Sequence, residues 1–386
     1  METRRIIKNR KTILACCIIL LFNGLWYYYH QQSYWKNYNY SISAASKIQK
    51  DYLMELDGMA IEAQLQLIAN KKEKIEKSLS TSTNDVNHLL GKSFMLEEIE
   101  KSVRYIAAYP KILSQIKNRA QLMSSINIFQ QKDSFSQKNI EKTVKDYRFV
   151  SGIQIENGVN KPITDTVFDP IIQFISTVFI VFIVLSFMEE RKIGLWEKVH
   201  STPGGRHQLA VRRVLILLIT SMVFQFILVA QRVILSSVMY GNPHVLRPIQ
   251  SVPEFIRFIY PVSILEYLIL YCLICGLCCF CFGLLAWLFL SIFHNSIMSI
   301  FVLCICTVVQ WLIYFFNPVQ SFFSIFKYAN FYYFINPAKE LSEYCNINIF
   351  GFVASRFWAI IFLAIILILF KVFWDLFRTI QNLWNI

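Results

Sequence analysis

Charge is scarce in this chain of 386 residues, because Asp, Glu, Lys and Arg together make up only 16% of it. Soluble domains carry roughly 25% charged residues. Hydrophobic residues account for 55% of the chain, and 33 residues are Phe. The shortage of charge excludes an ordinary soluble protein, and the long apolar runs predict a polytopic membrane protein.

Motifs of catalysis and of nucleotide binding are also missing. The six His show no His-Glu-x-x-His spacing, and no Gly-x-Ser-x-Gly turn surrounds a nucleophile. A Gly-x-x-x-x-Gly-Lys-Ser/Thr phosphate loop is absent as well. We therefore expect a chain that is not an enzyme, has no catalytic residue or metal site, and binds no cofactor directly.

Cysteine is absent from residues 30–166, so disulfides are not expected to hold that segment together. Nine of the ten cysteines lie in apolar runs, and five of them crowd between residues 272 and 281. A metal site in hydrocarbon would need several thiolates and compensating charge. The preferred interpretation is that these cysteines are small, adaptable residues at a helix interface.

The net charge of +13 comes from basic residues that flank the apolar runs, among them Arg4, Arg5, Arg191 and Lys192. This distribution is typical of the positive-inside rule and places the amino terminus in the cytoplasm. No basic stripe with interleaved aromatics marks a soluble element, so nucleic acid is not an expected partner. Frequent Lys, Asn and Ile suggest a bacterium with AT-rich DNA, and hence the bacterial plasma membrane.

Six transmembrane spans can be counted, because about 20 apolar residues cross some 30 Å of hydrocarbon. The first run ends in Trp26 and three tyrosines, where a signal peptide would have small residues, so we interpret it as a retained anchor. The predicted spans are residues 12–29, 167–188 and 211–239, two spans within 261–316 that are separated at residues 293–296, and 352–370.

The predicted fold class is all-α, a polytopic membrane protein with six transmembrane helices and a helical extracellular domain between spans one and two. Both termini are then cytoplasmic. The predicted divisions are a cytoplasmic amino-terminal segment (1–11), span one (12–29), the extracellular helical domain (30–166), span two (167–188), a cytoplasmic segment (189–210), and spans three to six with a short carboxyl-terminal tail (211–386).

Residues 30–166 carry apolar residues at helical spacing from Ser43 to Leu79. A second such run starts at about Phe94 and has apolar residues both before and after Pro110: Ile99, Val103 and Ile106, then Ile112, Leu113 and Ile116. This pattern predicts a helical hairpin with an apolar seam. A solvated spacer that only holds the spans apart is the alternative. As a functional element, the domain would be a gate or a docking surface for a substrate or an accessory protein.

The stretch between spans two and three is charged and helix-compatible, and it breaks at Pro203-Gly204-Gly205. It reads Glu-Glu-Arg-Lys-x-Gly-Leu-Trp-Glu followed by Ser-Thr-Pro-Gly-Gly-Arg. With this motif between spans two and three, the chain resembles the permease subunit of an ABC transporter of the type-2 exporter superfamily. An ordinary cytoplasmic loop with a membrane-lying helix is the alternative.

The resemblance implies a coupling helix that seats in a cleft of a separate ABC ATPase subunit, which would bind ATP and Mg. A second permease subunit, identical or homologous, would complete the translocation path within the membrane lipid. Carried over residue by residue, the coupling positions are Glu189, Glu190, Arg191, Gly194, Trp196, Glu197, Ser201, Thr202, Pro203 and Arg206. The cargo classes implied are a drug, an ion, a lipid or an antimicrobial peptide.

Three polar residues inside the predicted spans are candidates for a translocation path or gate: Gln225, Arg232 and Glu266. Polar side chains at membrane depth usually face protein or water. We hypothesise that Arg232 and Glu266 pair near an extracellular gate. Snorkelling of each to the outer interface is the alternative.

A second class of function is a membrane sensor or immunity protein that binds an extracellular peptide without transport. Sensors commonly carry a sizeable cytoplasmic output domain, whereas the predicted cytoplasmic termini here are short. The sequence therefore favours the transport subunit.

Overall fold

The computed structural model describes residues 10–81, 85–125, 135–150, 152–192, 205–293, 295–316, 330–349, 352–356, 358 and 360–370. Most of them are helical, and five helices are long and apolar enough to cross a membrane. The predicted class, a helical multi-pass membrane protein, is thereby confirmed.

The helices of the described chain run as follows: α1 Arg10–Lys36, α2 Ile42–Leu56, α3 Ile61–Thr81, α4 Val86–Ser125, α5 Phe135–Asp146, α6 Lys161–Val167, α7 Pro170–Lys192, α8 Gly205–Tyr240, α9 Ile264–Phe293, α10 Ser296–Phe316, α11 Tyr332–Ile335, α12 Ala338–Ser342 and α13 Ile360–Phe370. Two strands, β1 Asn346–Ile349 and β2 Phe352–Ser355, pair antiparallel. The membrane-spanning candidates are α1, α7, α8, α9 and α10.

Helix α9 forms the centre of the membrane bundle, and α7, α8 and α10 pack around it. It is apolar on all faces, which suits a helix buried among others. Two glycines allow close approach of its neighbours. A Cβ at Gly283 would lie 2.5 Å from Ile180 Cγ2, and one at Gly276 would lie 2.7 Å from Met222 Sδ. Small residues at such crossings let membrane helices pack tightly.

The described residues of 42–167 contain helices α2 to α6 and are here called the helical domain; its last helix, α6, packs against the span α8, and Ile163 and Val167 belong to the apolar core of the bundle. Helices α3 and α4 pack as a hairpin over an apolar seam that includes Ile68, Ile99 and Val103. The predicted run from Ser43 to Leu79 is interrupted after α2, because Gly58 adopts φ +73°, which ends a helix at little steric cost.

Helix α4 continues through Pro110 and ends at Ser125. Proline removes one backbone hydrogen bond from a helix. Buried side chains on the turns before it, Val103 and Tyr109, hold the helix against the rest of the protein. Tertiary packing therefore overrides the local signal.

The predicted sixth span, 352–370, is wrong at its start. Residues 352–355 form β2, which pairs with β1 in the register Asn346 to Ser355 and Ile349 to Phe352. Only the shorter apolar helix α13 follows. Residues 371–386 lie outside the described chain, so a sixth crossing stays a prediction.

Consecutive spans alternate in direction, so the bundle has two distinct ends. The helical domain, the loop 241–263 and the segment 330–356 lie together at one end, here called the domain end. Contacts between Tyr344 and Asp146 and between Tyr105 and Gln250 join these parts. Helix α7 ends and α8 begins at the opposite end.

Candidate functional site: polar residues buried between the spans

Four of the ten predicted coupling residues are described, and they lie at the end of the bundle opposite the helical domain. Glu189, Glu190 and Arg191 belong to the last turns of α7, and Arg206 belongs to the first turn of α8. The remaining positions fall outside the described residues: Gly194, Trp196, Glu197, Ser201, Thr202 and Pro203. The backbone therefore brings both ends of the coupling segment to one end of the bundle.

Close to that connection, one buried cation links three spans. The side chain of Arg213 on α8 is 4% exposed, and its guanidinium carbon lies 5.2 Å from the ring centre of Phe187 on α7. The Phe187 ring lies 5.8 Å from that of Trp287 on α9 in an edge-to-face arrangement. Cation–π and aromatic contacts of this kind resist separation of the helices they join.

Near the domain end, Arg232 of α8 is fully buried and paired. Its Nη2 lies 3.1 Å from Asp169 Oδ2, just before α7, and donates to Asn23 Oδ1 of α1 at 2.7 Å. The guanidinium also lies over the Tyr27 ring, 4.6 Å from its centre. A buried charge is tolerated when it is paired and hydrogen-bonded. Arg232 thus joins α1, α7 and α8.

One buried face of α1 carries a row of residues with polar groups, while several of its large apolar side chains are exposed. Asn23, Tyr27, Gln31 and Trp35 recur every four residues and are all buried. Such spacing places them in one row along the helix. The opposite face exposes large apolar residues such as Leu21 and Leu25, as lipid contact requires.

This row continues the network from Arg232 toward the helical domain. Asp165 accepts hydrogen bonds from the Tyr27 hydroxyl at 2.9 Å and from Gln31 Nε2 at 3.0 Å. The Tyr240 hydroxyl donates to Gln31 Oε1 and accepts from Trp35 Nε1. The polar groups of α1 are therefore satisfied by α6 and α8, which fixes how the three helices meet.

The predicted pair of Arg232 with Glu266 is wrong. Glu266 is exposed and accepts from the Ser263 backbone N–H at 2.7 Å and from its hydroxyl at 3.0 Å. The Ser263 hydroxyl in turn accepts from the Glu266 N–H at 3.2 Å. This reciprocal arrangement is a capping box at the start of α9. The Ser-x-x-Glu spacing in the sequence was the signal that could have shown it.

Gln225 lies deeper in the bundle and is also fully buried. Its Oε1 accepts a hydrogen bond of 2.6 Å from the Ser176 hydroxyl, which ties α8 to α7. One turn nearer the domain end, Gln173 Nε2 donates to Cys275 O, Cys279 Sγ and Phe334 O. Gln173, which the sequence reasoning missed, thus connects α7 with α9 and α11.

The cysteines of α9 belong to this interface. Cys275, Cys278, Cys279 and Cys281 are buried free thiols among the packed spans. Over the described residues, no group of three or more His, Cys, Asp or Glu side chains could hold a metal ion. Helix packing is the role that the geometry gives them.

Arg247 fastens the helical domain to the membrane bundle. Its Nε donates to Pro243 O at 2.9 Å, and its Nη2 donates to Val159 O and Asn160 Oδ1, each at 2.8 Å. Burial lowers the pKa of Arg247 to about 10 because desolvation penalises the charged form. The bonds to carbonyl oxygens nevertheless hold the guanidinium between the loop 241–263 and the chain that precedes α6.

The described residues thus show polar and ionic contacts that join spans to one another and to the helical domain. Contacts of this kind make the joined helices move together rather than independently. No family model, curated protein or solved structure matches the chain.

Proposed function

We propose that this chain is the membrane-spanning permease subunit of an ATP-driven ABC exporter. The observation that carries the proposal is the sequence of residues 189–206, which resembles the coupling segment of such permeases. The fold supports it, because α7 ends and α8 begins at the same end of the bundle. If a partner protein moves a segment in that position, α7 and α8 are displaced together.

The coupling would work through contacts that make α7 and α8 move together. Arg213 and Phe187 join them near the coupling segment, and Ser176 and Gln225 join them farther along. Closure of a partner ATPase on ATP and Mg would tilt the pair as a rigid unit. The partner carries out hydrolysis, while this chain supplies the path.

At the domain end, Arg232 would transmit the same movement to α1 through Asn23 and to the start of α7 through Asp169. Arg232 and Gln225 are then positioning residues that keep the spans in register along the path. Glu266 would form part of the rim at this end, where it caps α9.

In this account the protein lies in a bacterial plasma membrane, with six spans, both termini in the cytoplasm and the helical domain outside. Its partners are an ABC ATPase subunit and a second permease subunit, identical or homologous. The exported cargo is a drug, an ion, a lipid or an antimicrobial peptide.

Affinity purification from native membranes in mild detergent tests the proposal. Wild type is compared with a Glu190→Lys, Trp196→Ala double variant and with Met54→Ala, a control at an exposed position of α2. We expect an ATPase subunit to co-elute with wild type and with the control, but not with the double variant. Recovery of no ATPase with any of them would contradict the proposal and favour the sensor or immunity function.

A further inference from the structure

A cavity of about 360 Å³ opens at the domain end of α9, and its lining residues are not those that contact Arg232. Three elements enclose it: the loop 241–263, the first turns of α9, and the segment from α12 to β2. Ligand pockets in proteins span about 300–1,000 Å³ and are mostly apolar. The cavity is therefore large enough for part of a small ligand.

The floor of the cavity is apolar even though tyrosines form it. The Tyr267 hydroxyl donates to Leu341 O at 3.4 Å, and the Tyr271 hydroxyl donates to Val167 O at 3.2 Å. Tyr267 and Tyr271 are each 1% exposed and both hydroxyls are engaged by protein carbonyls, so neither offers a polar group to the cavity, whereas Leu270 supplies accessible apolar surface. A hydrocarbon group is the ligand that such walls favour.

The mouth of the cavity carries an excess of positive charge. Arg356 donates to Lys339 O and lies 3.7 Å from Glu343 Oε2, so its charge is partly balanced. Arg257 is exposed at the cavity and has no ion-pair or hydrogen-bond partner within the described ranges. An arginine in this state is ready to bind a phosphate or another anionic group.

The cavity also borders a surface suited to lipid. Leu265, Ile269, Leu270 and Leu273 form an exposed apolar stripe on the first turns of α9, at helical spacing. Leu270 belongs to both the stripe and the cavity, and 36% of its surface is exposed. A hydrocarbon chain can thus enter from the side of the helix without crossing water.

We propose that this cavity binds an anionic phospholipid of the surrounding membrane. One acyl chain occupies the space over Tyr267, Leu270 and Tyr271, and the headgroup phosphate pairs with Arg257. An arginine beside an apolar cleft has the chemistry that recognises an anionic headgroup, because its guanidinium binds phosphate. The cavity lining contains none of the residues assigned above to the transport path, and lipid binding there does not require transport.

Native mass spectrometry of the full chain from nanodiscs tests the assignment. Phosphatidylglycerol is compared with phosphatidylcholine of the same acyl chains, and glycerol 3-phosphate tests whether the anion alone binds. Phosphatidylglycerol should remain bound, whereas the other two should not. Loss of one charge-assisted hydrogen bond in Arg257→Gln should weaken retention about tenfold. Arg119→Gln, an exposed arginine on α4, is the matched control and should retain the lipid like wild type.

A second variant tests the acyl-chain site without altering charge. Leu270→Trp enlarges a side chain in the cavity wall and should displace the lipid while the protein stays monodisperse in gel filtration. Equal retention of the two phospholipids, or unchanged retention in both variants, would overturn the proposal. Binding of glycerol 3-phosphate alone at the strength of the lipid would also overturn it, because the acyl chain would then contribute nothing.

Discussion

The ion pair between Arg232 and Asp169 should contribute to the stability of the packed spans, and removing it should lower the free energy of unfolding. The Arg232 side chain is fully buried, whereas that of Asp169 is 22% exposed. Removing one partner of a buried pair costs about 3–5 kcal/mol, mostly because the other charge is left unpaired. Since Asp169 reaches solvent, we expect Arg232→Met to lower the free energy of unfolding by about 2–3 kcal/mol, below that range.

A double-mutant cycle separates this pair from its surroundings. Arg232→Met combined with Asp169→Leu should cost at least about 1.5 kcal/mol less than the sum of the two single changes, as contacting charges do. The assay is unfolding of the detergent-solubilised protein by SDS, followed by circular dichroism. The control cycle pairs Arg232→Met with Glu266→Gln, and these effects should add. Additive effects at Arg232 and Asp169, or coupling to Glu266, would show that Arg232 and Asp169 are not paired in the folded protein.

Three further changes test other contacts. Gln173→Leu leaves the carbonyls of Cys275 and Phe334 without their buried donor, so SDS unfolding should show a loss of about 1–3 kcal/mol. Gly158→Ala would place a Cβ 2.8 Å from Arg247 Nη1, so limited proteolysis should cut the helical domain faster than in wild type; an unchanged rate would contradict the role of Arg247. Burial raises the pKa of Glu98 and makes its ionised form unfavourable in the folded state. Glu98→Gln should therefore stabilise the protein at neutral pH, with a gain that shrinks as pH falls toward the ordinary carboxyl range; a gain independent of pH would show that ionisation is not its cause.

The positions of five candidate spans could be predicted, because the length and composition of an apolar run are local properties of the sequence. A run of about 20 apolar residues is long enough to cross the hydrocarbon as a helix. The break inside 261–316 illustrates this, since α9 ends at Phe293 and α10 begins at Ser296, at the polar interruption that the sequence shows there. Burial of Gln225 and Arg232 followed from the cost of exposing polar groups to lipid.

The partners of those residues could not be predicted, because they depend on contacts between distant parts of the chain. Arg232 bonds to Asn23, 209 residues away. Asp169 lies near the start of predicted span two, a position where an exposed carboxylate is ordinary, so the sequence does not indicate that it pairs with a buried cation. The same holds for β2, whose apolar residues suit a membrane span until their pairing with residues 346–349 is known.

Cross-linking from the proposed coupling segment tests whether residues 189–206 contact an ABC ATPase. A photoreactive amino acid replaces Trp196, and the same group at Met54 serves as the control, because Met54 is exposed on the helical domain. Irradiation of native membranes should join residue 196, but not residue 54, to a protein that binds ATP, and mass spectrometry should identify that protein as an ABC ATPase. Cross-links from residue 196 only to lipid or to proteins that bind no nucleotide would contradict the proposed permease function.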